Sequence, residues 1–150
     1  MIILFFGQPA SGKTTLADEF VKYAKLPADS KGFFRIDGDK WRLVSQNQDY
    51  SKSGRIQNLR SAFLMAKYIE TENFIPVISF VAPYQSVRSL LSDSLLMQVY
   101  LTYQDDRGRN HYFAEDFEQP EGEYLALNTT NDSILTCTNK LLDYYTNLIK

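Results

Sequence analysis

Apolar residues fall along this chain in two alternating rhythms. Ile2 to Phe6, Phe33-Phe34-Arg35-Ile36, Phe74 to Val81, Met97 to Leu101 and Tyr124 to Leu127 are short runs with the length and the β-branched and aromatic content of buried strands. Between them the apolar positions take helical spacing. Leu16, Phe20, Val21 and Ala24 recur within Lys13 to Lys25; Ile56, Leu59, Phe63, Ala66 and Ile69 make a stripe on a long helix whose other face carries Arg55 and Asn58. Val87, Leu90 and Leu91 mark a short helix after the Ala82-Pro83-Tyr84 turn, and Ile134, Thr138, Leu141, Tyr145 and Leu148 mark a closing one. Pro27 ends the first helix, Asn131 or Asp132 is expected to cap the last, and Pro76 is tolerable near the start of its strand, where little ladder bonding has begun. Strands alternating with helices predict an α/β sandwich: a mostly parallel central sheet with helices on both faces, in one domain spanning residues 1–150.

Two stretches break the rhythm. From Lys40 to Gly54 the chain is polar and weakly patterned, most loop-like over Ser45 to Ser53, which suits a substrate flap. Gln104 to Glu123 has no apolar periodicity and reads as a lid or loop, with the lid region at about 103–123.

Chemistry enters at the first strand's carboxyl end. Gly7-Gln8-Pro9-Ala10-Ser11-Gly12-Lys13-Thr14 is a full Walker A pattern between a strand and a helix, which makes the expected architecture a P-loop NTPase-type sandwich. Gly7 and Gly12 let the backbone curl so that successive N–H groups cradle phosphates, with the positive end of the following helix behind them. Gly7, Ala10, Ser11, Gly12, Lys13, Thr14 and Thr15 are therefore expected to bind ATP, Lys13 reaching the β/γ-phosphates and Thr14 holding Mg²⁺.

The remaining motifs narrow the class. Asn139-Lys140 runs into Leu141-Leu142 within a helix, so it is no guanine reader, and a switch GTPase is disfavoured. The strand ending at Val81 passes into Ala82-Pro83 without the carboxylate that motor and transport ATPases need. The acidic pair at a strand end is Asp37-Gly38-Asp39. Small-molecule kinases use such a pair, because an acceptor hydroxyl must be positioned and relieved of its proton. Asp39 is the expected general base and water-mediated Mg²⁺ contact, with Asp37 orienting it or sharing the metal.

Gly7 to Thr15, Asp37-Gly38-Asp39-x-x-Arg42, Arg55-x-x-Asn58-x-Arg60, Ser79-Phe80-Val81-Ala82-Pro83-Tyr84 and Leu127-Asn128-Thr129-Thr130 together resemble the adenylylsulfate kinases, in content and in order. The resemblance implies transfer of the γ-phosphoryl of ATP to the 3′-hydroxyl of adenosine 5′-phosphosulfate, giving PAPS and ADP in sulfate assimilation. It implies that Arg42 and Arg55 clamp the phosphosulfate, a task that suits the guanidinium fork. Asn58 completes the polar rim, and the backbone about Ser79 and Phe80 lines the substrate site, the Phe80 ring itself reading as core. Tyr50 stands where the family stacks a phenylalanine on the substrate adenine, and Phe113 resembles the partner aromatic on the opposite side of the base. For both, ordinary packing is an even alternative in a chain with 10 Tyr and 10 Phe. The family commonly dimerises, so a homodimer is a further expectation.

The lid departs from the family. The family's longer, lysine-rich segment is cut here to Asp105-Asp106-Arg107-Gly108-Arg109-Asn110-His111-Tyr112, in which Arg107 and Arg109 are expected to replace the lid cations on the ATP base. Lys40, Gly54 and Gln85 also differ from the family pattern, all nearer the acceptor than ATP. Two other readings remain open: a kinase of this architecture with another nucleotide or small-alcohol acceptor, and a nucleotide-binding module without turnover.

Composition trims the partners. A net charge of −2 offers no general attraction for polyanions, which argues against nucleic acid and a polynucleotide kinase. No apolar segment has the length of a membrane span. A single cysteine, Cys137, and an opening run that already belongs to the core pattern lead to the expectation of a cytoplasmic protein without a leader. Cys137 reads as core, the lone His111 as a solvent-facing loop residue, Arg60 as surface, and Trp41 as packing beneath the flap.

Overall fold

The computed structural model describes residues 1–105 and 107–150; Asp106, within the shortened lid, lies outside the described residues. Five strands, β1 (Ile2–Phe6), β2 (Gly32–Asp37), β3 (Phe74–Phe80), β4 (Leu96–Thr102) and β5 (Leu125–Asn128), form one sheet in the order β2-β3-β1-β4-β5. Every pairing is parallel. Helices α1 (Lys13–Tyr23), α2 (Gly38–Ser45), α3 (Lys52–Thr71), α4 (Gln85–Arg88) and α5 (Ile134–Leu148) make the connections and the covering layers. This is the P-loop NTPase-type sandwich that the alternating rhythm and the Walker A pattern together predict.

Strand β1 explains why the sheet is buried on both sides. Its side chains alternate, Ile2, Leu4 and Phe6 packing with α3 residues such as Leu59, Phe63 and Ala66, and Ile3 and Phe5 packing with Leu16 and Phe20 of α1 and Leu141 and Tyr145 of α5. All five are completely buried. Removing the apolar surface of two such layers from water, at roughly 25 cal/mol per Å², is the main force holding the domain together. Pro76 sits inside the sheet after all, since β3 lies between β2 and β1, but pairing with β1 begins only at Val77.

Two expectations need correction. The polar stretch after Lys40 is not all flap: its first part is the helix α2, started by the Asp37 side chain, whose Oδ1 accepts the backbone N–H groups of Asp39 (3.2 Å) and Lys40 (3.4 Å). Eight residues are too few for periodicity to show, and Leu43 and Val44 point to solvent. Helix α5 is capped by Ser133, whose hydroxyl accepts the Thr136 N–H at 3.1 Å, rather than by Asn131 or Asp132, and Ile134 is exposed instead of in the stripe.

Residues 114–123 lie outside helix and strand, as the polar stretch led one to expect, but they are tethered: they form a strap over β4 on the α3 face of the sheet. Phe117 stacks near Tyr100 (ring centroids 5.9 Å apart), and Gln98 donates to the carbonyls of Glu121 (3.4 Å) and Glu123 (3.3 Å). Arg88, almost wholly buried, donates to the carbonyls of Ala82 (2.7 Å), Glu118 (2.9 Å) and Gln119 (3.1 Å). Polar tethers of this kind leave no hydrophobic period in the sequence.

Candidate active site

The ends of β1, β2 and β3 meet where the strand order reverses, the usual position for a ligand in an open parallel sheet. There the phosphate loop leaves β1 in a conformation that only certain residues tolerate. Gly7 has φ 148° and Gly12 φ 91°, and Ala10 is left-handed at 65°. A Cβ on Gly7 would lie 2.2 Å from the Leu101 carbonyl oxygen, so this glycine is required by the close approach of β4. On the other side of the loop the Thr129 hydroxyl donates to the Ser11 carbonyl at 2.9 Å.

Lys13 opens α1 and folds back over the loop, its Nζ donating to the Gln8 carbonyl (2.7 Å) and the Ser11 hydroxyl (3.3 Å). Desolvation, reinforced by the Arg109 charge and only partly offset by Asp39 and Asp37, lowers its pKa to about 7. A lysine held so reluctantly charged is stabilised by an arriving polyphosphate.

The neighbouring Thr14 hydroxyl donates to Asp37 Oδ2 at 2.7 Å, and Ser79 donates to the same oxygen at 2.9 Å. Arg35 fixes this pair from behind, donating to the Ser79 hydroxyl (3.1 Å) and to the Val77 carbonyl (2.8 Å). Burial alone would raise the Asp37 carboxyl's pKa. The hydrogen bonds from Thr14, Ser79 and the Lys40 N–H, with the Arg35 charge, outweigh burial and hold it below its ordinary value. Asp37 thus does two jobs at once, capping α2 and facing Thr14. Among the described residues no group of three His, Cys, Asp or Glu gathers around a metal position. The Thr14 hydroxyl beside an ionised Asp37 still fits Mg²⁺, which needs few protein ligands when phosphates and waters supply the rest.

A cavity of about 240 Å³ opens from the loop toward α2 and α3. Ala10, Gly12, Lys13, Thr14 and Thr15 line one wall; Asp37, Asp39, Ser79 and Phe80 line the floor; Arg42, Tyr50, Arg55 and Asn58 line the far wall; Arg107, Arg109 and Tyr112 close it over. Gly7 and Ser11 are buried beneath the lining. Asp39 is largely solvent-exposed (74%) and faces Arg109, whose Nη2 lies 3.7 Å from its Oδ2.

Arg42 and Arg55 are both buried in this far wall, and both are already engaged. Arg42 Nη1 donates to the carbonyls of Asn47 (3.0 Å) and Asp49 (3.2 Å) and to Asn47 Oδ1 (3.1 Å), with its guanidinium 4.0 Å from the Tyr50 ring centroid. Arg55 donates to the carbonyls of Tyr50 (2.9 Å) and Tyr112 (2.6 Å). These arginines order the loop between α2 and α3, and Arg55 also reaches the lid. Gly54 is needed here because a Cβ would come within 2.3 Å of the Asp49 carboxyl carbon.

The aromatic pair differs from the one expected. Tyr112, not Phe113, reaches the cavity, and its ring centroid is 4.9 Å from that of Tyr50. Phe113 follows the short turn Asn110–Tyr112 in extended conformation and stays out of the lining. At 4.9 Å the two rings touch, so a base entering between them must part them. Arg107 lies over the Tyr103 ring at 4.3 Å.

Several contributors lay beyond the motif reading. Arg35 interrupts an otherwise apolar strand, a signal that a buried partner awaits it. Thr129 lies inside a quoted motif without an assigned task. Gln8 likewise lies inside the quoted Walker A pattern without an assigned task, and Arg88 carried no signal.

The fold and its phosphate loop define a P-loop kinase. The family model for adenylylsulphate kinase matches residues 1–107, and the chain belongs to that family. The matched region ends within the lid, where the sequence departs from the family pattern. Adenylyl-sulfate kinases from Halothermothrix orenii and Clostridium kluyveri are 25% and 26% identical, over 95% and 96% of this chain and 87% and 82% of theirs. An APS kinase from Mycobacterium tuberculosis, solved in complex with AMPPNP and APS, superposes with a TM-score of 0.75 at 17% identity, over 99% of this chain and 96% of that one.

Proposed function

We propose that this protein transfers the γ-phosphoryl group of ATP to the 3′-hydroxyl of adenosine 5′-phosphosulfate, releasing ADP and PAPS. What supports the reading above all is that one cavity is lined on one wall by Lys13 and Thr14 and on the other by Arg42, Arg55 and Asn58, with Asp37 and Asp39 between them. In the proposed reaction the acceptor oxygen bonds to the γ-phosphorus as the bond to the ADP oxygen breaks, and Asp39 receives the hydroxyl proton. Lys13 neutralises charge shifting onto the leaving phosphate. Thr14 and Asp37, with Asp39 through water, would hold Mg²⁺, which when bound supplies charge neutralisation across the phosphate oxygens. Arg42 and Arg55 keep unused N–H groups for the phosphosulfate, and Tyr50 with Tyr112 frames the acceptor base.

The family's dimeric habit and a cytoplasmic location are carried over as part of the proposal. Among the described residues no helix is long and apolar enough to cross a membrane.

One observation favours a second acceptor. Both arginines spend hydrogen bonds on the protein's own carbonyls, which leaves fewer for a phosphosulfate and suits a less highly charged alcohol or nucleotide. A coupled ADP-release assay across a panel of acceptors decides. Turnover with adenosine 5′-phosphosulfate well above other hydroxyl compounds supports the main reading, preference for another acceptor supports the second, and tight ATP binding without turnover on any acceptor leaves a binding module.

A further inference from the structure

Gln8 in the phosphate loop looks both ways. Its backbone carbonyl receives the Lys13 ammonium at 2.7 Å. Its side chain points in the other direction, to Ala114, a residue 106 positions away in the chain. The carboxamide meets the Ala114 peptide as one strand meets another: Gln8 Nε2 donates to the Ala114 carbonyl (2.8 Å) and the Ala114 N–H donates to Gln8 Oε1 (3.0 Å). A carboxamide alone among side chains offers a donor and an acceptor side by side to match a peptide.

Ala114 is buried and stands at a junction. Two residues before it, the Tyr112 carbonyl is held by Arg55, and the Tyr112 ring lines the acceptor side of the cavity. Two residues after it, within the strap, Asp116 accepts the Tyr84 hydroxyl at 3.2 Å and lies 3.5 Å from Lys52 Nζ. The segment bearing Arg109 and Tyr112 is therefore tied down at its carboxyl end by Arg55 and Gln8.

Resting on the proposed ATP-dependent transfer, we infer that Gln8 is a positioning residue that couples phosphate binding to the acceptor wall. A polyphosphate competes for the Lys13 ammonium and draws it toward the phosphate oxygens, which loosens its hold on the Gln8 carbonyl. The Gln8 peptide is then held by the occupied loop instead, and its carboxamide fixes the strap through Ala114. Donor binding thereby steadies Tyr112 and Arg109 over the acceptor before transfer, and the coupling is reciprocal, because a linkage between two sites must be.

The test uses hydrogen exchange of the amides of residues 112–118, the start of the strap and the two residues before it, with and without Mg²⁺ and a non-hydrolysable ATP analogue, in the unaltered protein, Gln8→Met and Gln8→Glu. Met keeps the volume without the hydrogen bonds; Glu keeps the acceptor and loses the donor. Without nucleotide, strap exchange is expected to quicken roughly tenfold in Gln8→Met, the effect of two neutral hydrogen bonds, and at least as much in Gln8→Glu, whose ionised carboxylate sets an oxygen against the Ala114 carbonyl. Nucleotide is expected to slow the exchange at least about threefold in the unaltered protein and to leave Gln8→Met unmoved. In steady state, Gln8→Met should raise the acceptor KM about tenfold while ATP affinity stays within about threefold, a split that general loosening of the fold would not produce. If the unaltered protein fails to bind the analogue, the proposed function falls, and the nucleotide-free comparison still judges the tether. If the analogue binds but slows strap exchange equally in Gln8→Met, the coupling is wrong and the kinase reading stands.

Discussion

The two walls of the cavity are built from different materials. The donor wall is main chain: the loop follows β1 directly, its path is set by left-handed backbone at Gly12 and by the Leu101 carbonyl pressed against Gly7, and its strand is buried on both faces. The acceptor wall is an arrangement of side chains reaching for carbonyls, Arg42 to Asn47 and Asp49, Arg55 to Tyr50 and Tyr112, and the strap behind it is tied the same way, by Gln8 to Ala114 and by Arg88 to Glu118 and Gln119. A wall of the first kind changes only if the sheet changes. One of the second kind can be retuned by single substitutions, so acceptor choice is free to drift while the phosphate loop stays fixed.

The sharpest way to separate the walls is at their border. Asp39→Asn keeps the shape of the acidic turn, since Asp37 and not Asp39 caps α2, but removes the proposed base. Turnover is expected to fall by about 10²- to 10⁴-fold with ATP affinity within a few-fold of normal, by single-turnover kinetics beside calorimetry. Near-normal turnover would take Asp39 out of the mechanism. Next in size is the anchor of the strap. Arg88→Met strands the buried Ala82 carbonyl, releases the carbonyls of the exposed residues Glu118 and Gln119, and should cost about 2 kcal/mol in urea unfolding while leaving nucleotide affinity nearly unchanged. A neutral Arg88→Met would mean that the strap is held by Phe117 and its apolar neighbours alone.

The same division governs what could be read in the sequence. The sheet, its parallel order of strands and helices, and the phosphate loop were legible, because burial on two faces forces unbroken apolar runs and because phosphate cradling forces glycines at fixed spacing. Asp37, Asp39, Arg42 and Arg55 were legible as a set in their motif order, though not the fact that both arginines are already bonded to carbonyls. Helix α2 escaped since one capping carboxylate and eight residues set it, leaving no period to detect. The strap escaped because Gln98 and Arg88 hold it by hydrogen bonds to carbonyls, which any residue carries. Phe113 was displaced by its neighbour because the short turn Asn110–Tyr112 decides which ring faces inward, and motif spacing does not register a shift of one residue.

A third change probes the acceptor wall by itself. Tyr50 packs between the Arg42 guanidinium and the Tyr112 ring, so Tyr50→Ala removes both a stacking surface and a support for the clamp. The acceptor KM should rise on the order of tenfold, as aromatic contacts of about 1 kcal/mol each would give, with the ATP KM little altered. Tyr112→Ala should do nearly the same and Phe113→Ala much less. The reverse ranking would restore Phe113 to the site and move Tyr112 out of it.

The smallest effect belongs to the donor wall and comes from a proton. Lys13 in the ligand-free protein has a pKa near 7, lowered first by desolvation and then by Arg109, whereas beside a polyphosphate its charge is neutralised and its pKa must rise. Above pH 7 the free site is therefore mostly neutral and the bound site cationic, so binding takes up a proton and weakens as pH increases, by roughly fivefold between pH 7 and pH 8. Below about pH 6 the lysine is charged in both states and the dependence on this group vanishes. Calorimetry of a non-hydrolysable ATP analogue with Mg²⁺, in buffers of different ionisation enthalpy, should show uptake approaching one proton at pH 8 and little from this group at pH 6. Lys13→Met provides the reference, because it binds more weakly yet retains the nucleotide's own titration, which is subtracted. Arg109→Gln should shrink the uptake, since removing the second cation lets Lys13 stay charged in the free protein. Equal uptake in the unaltered protein and in Lys13→Met would mean that the loop lysine is already charged before the phosphate arrives.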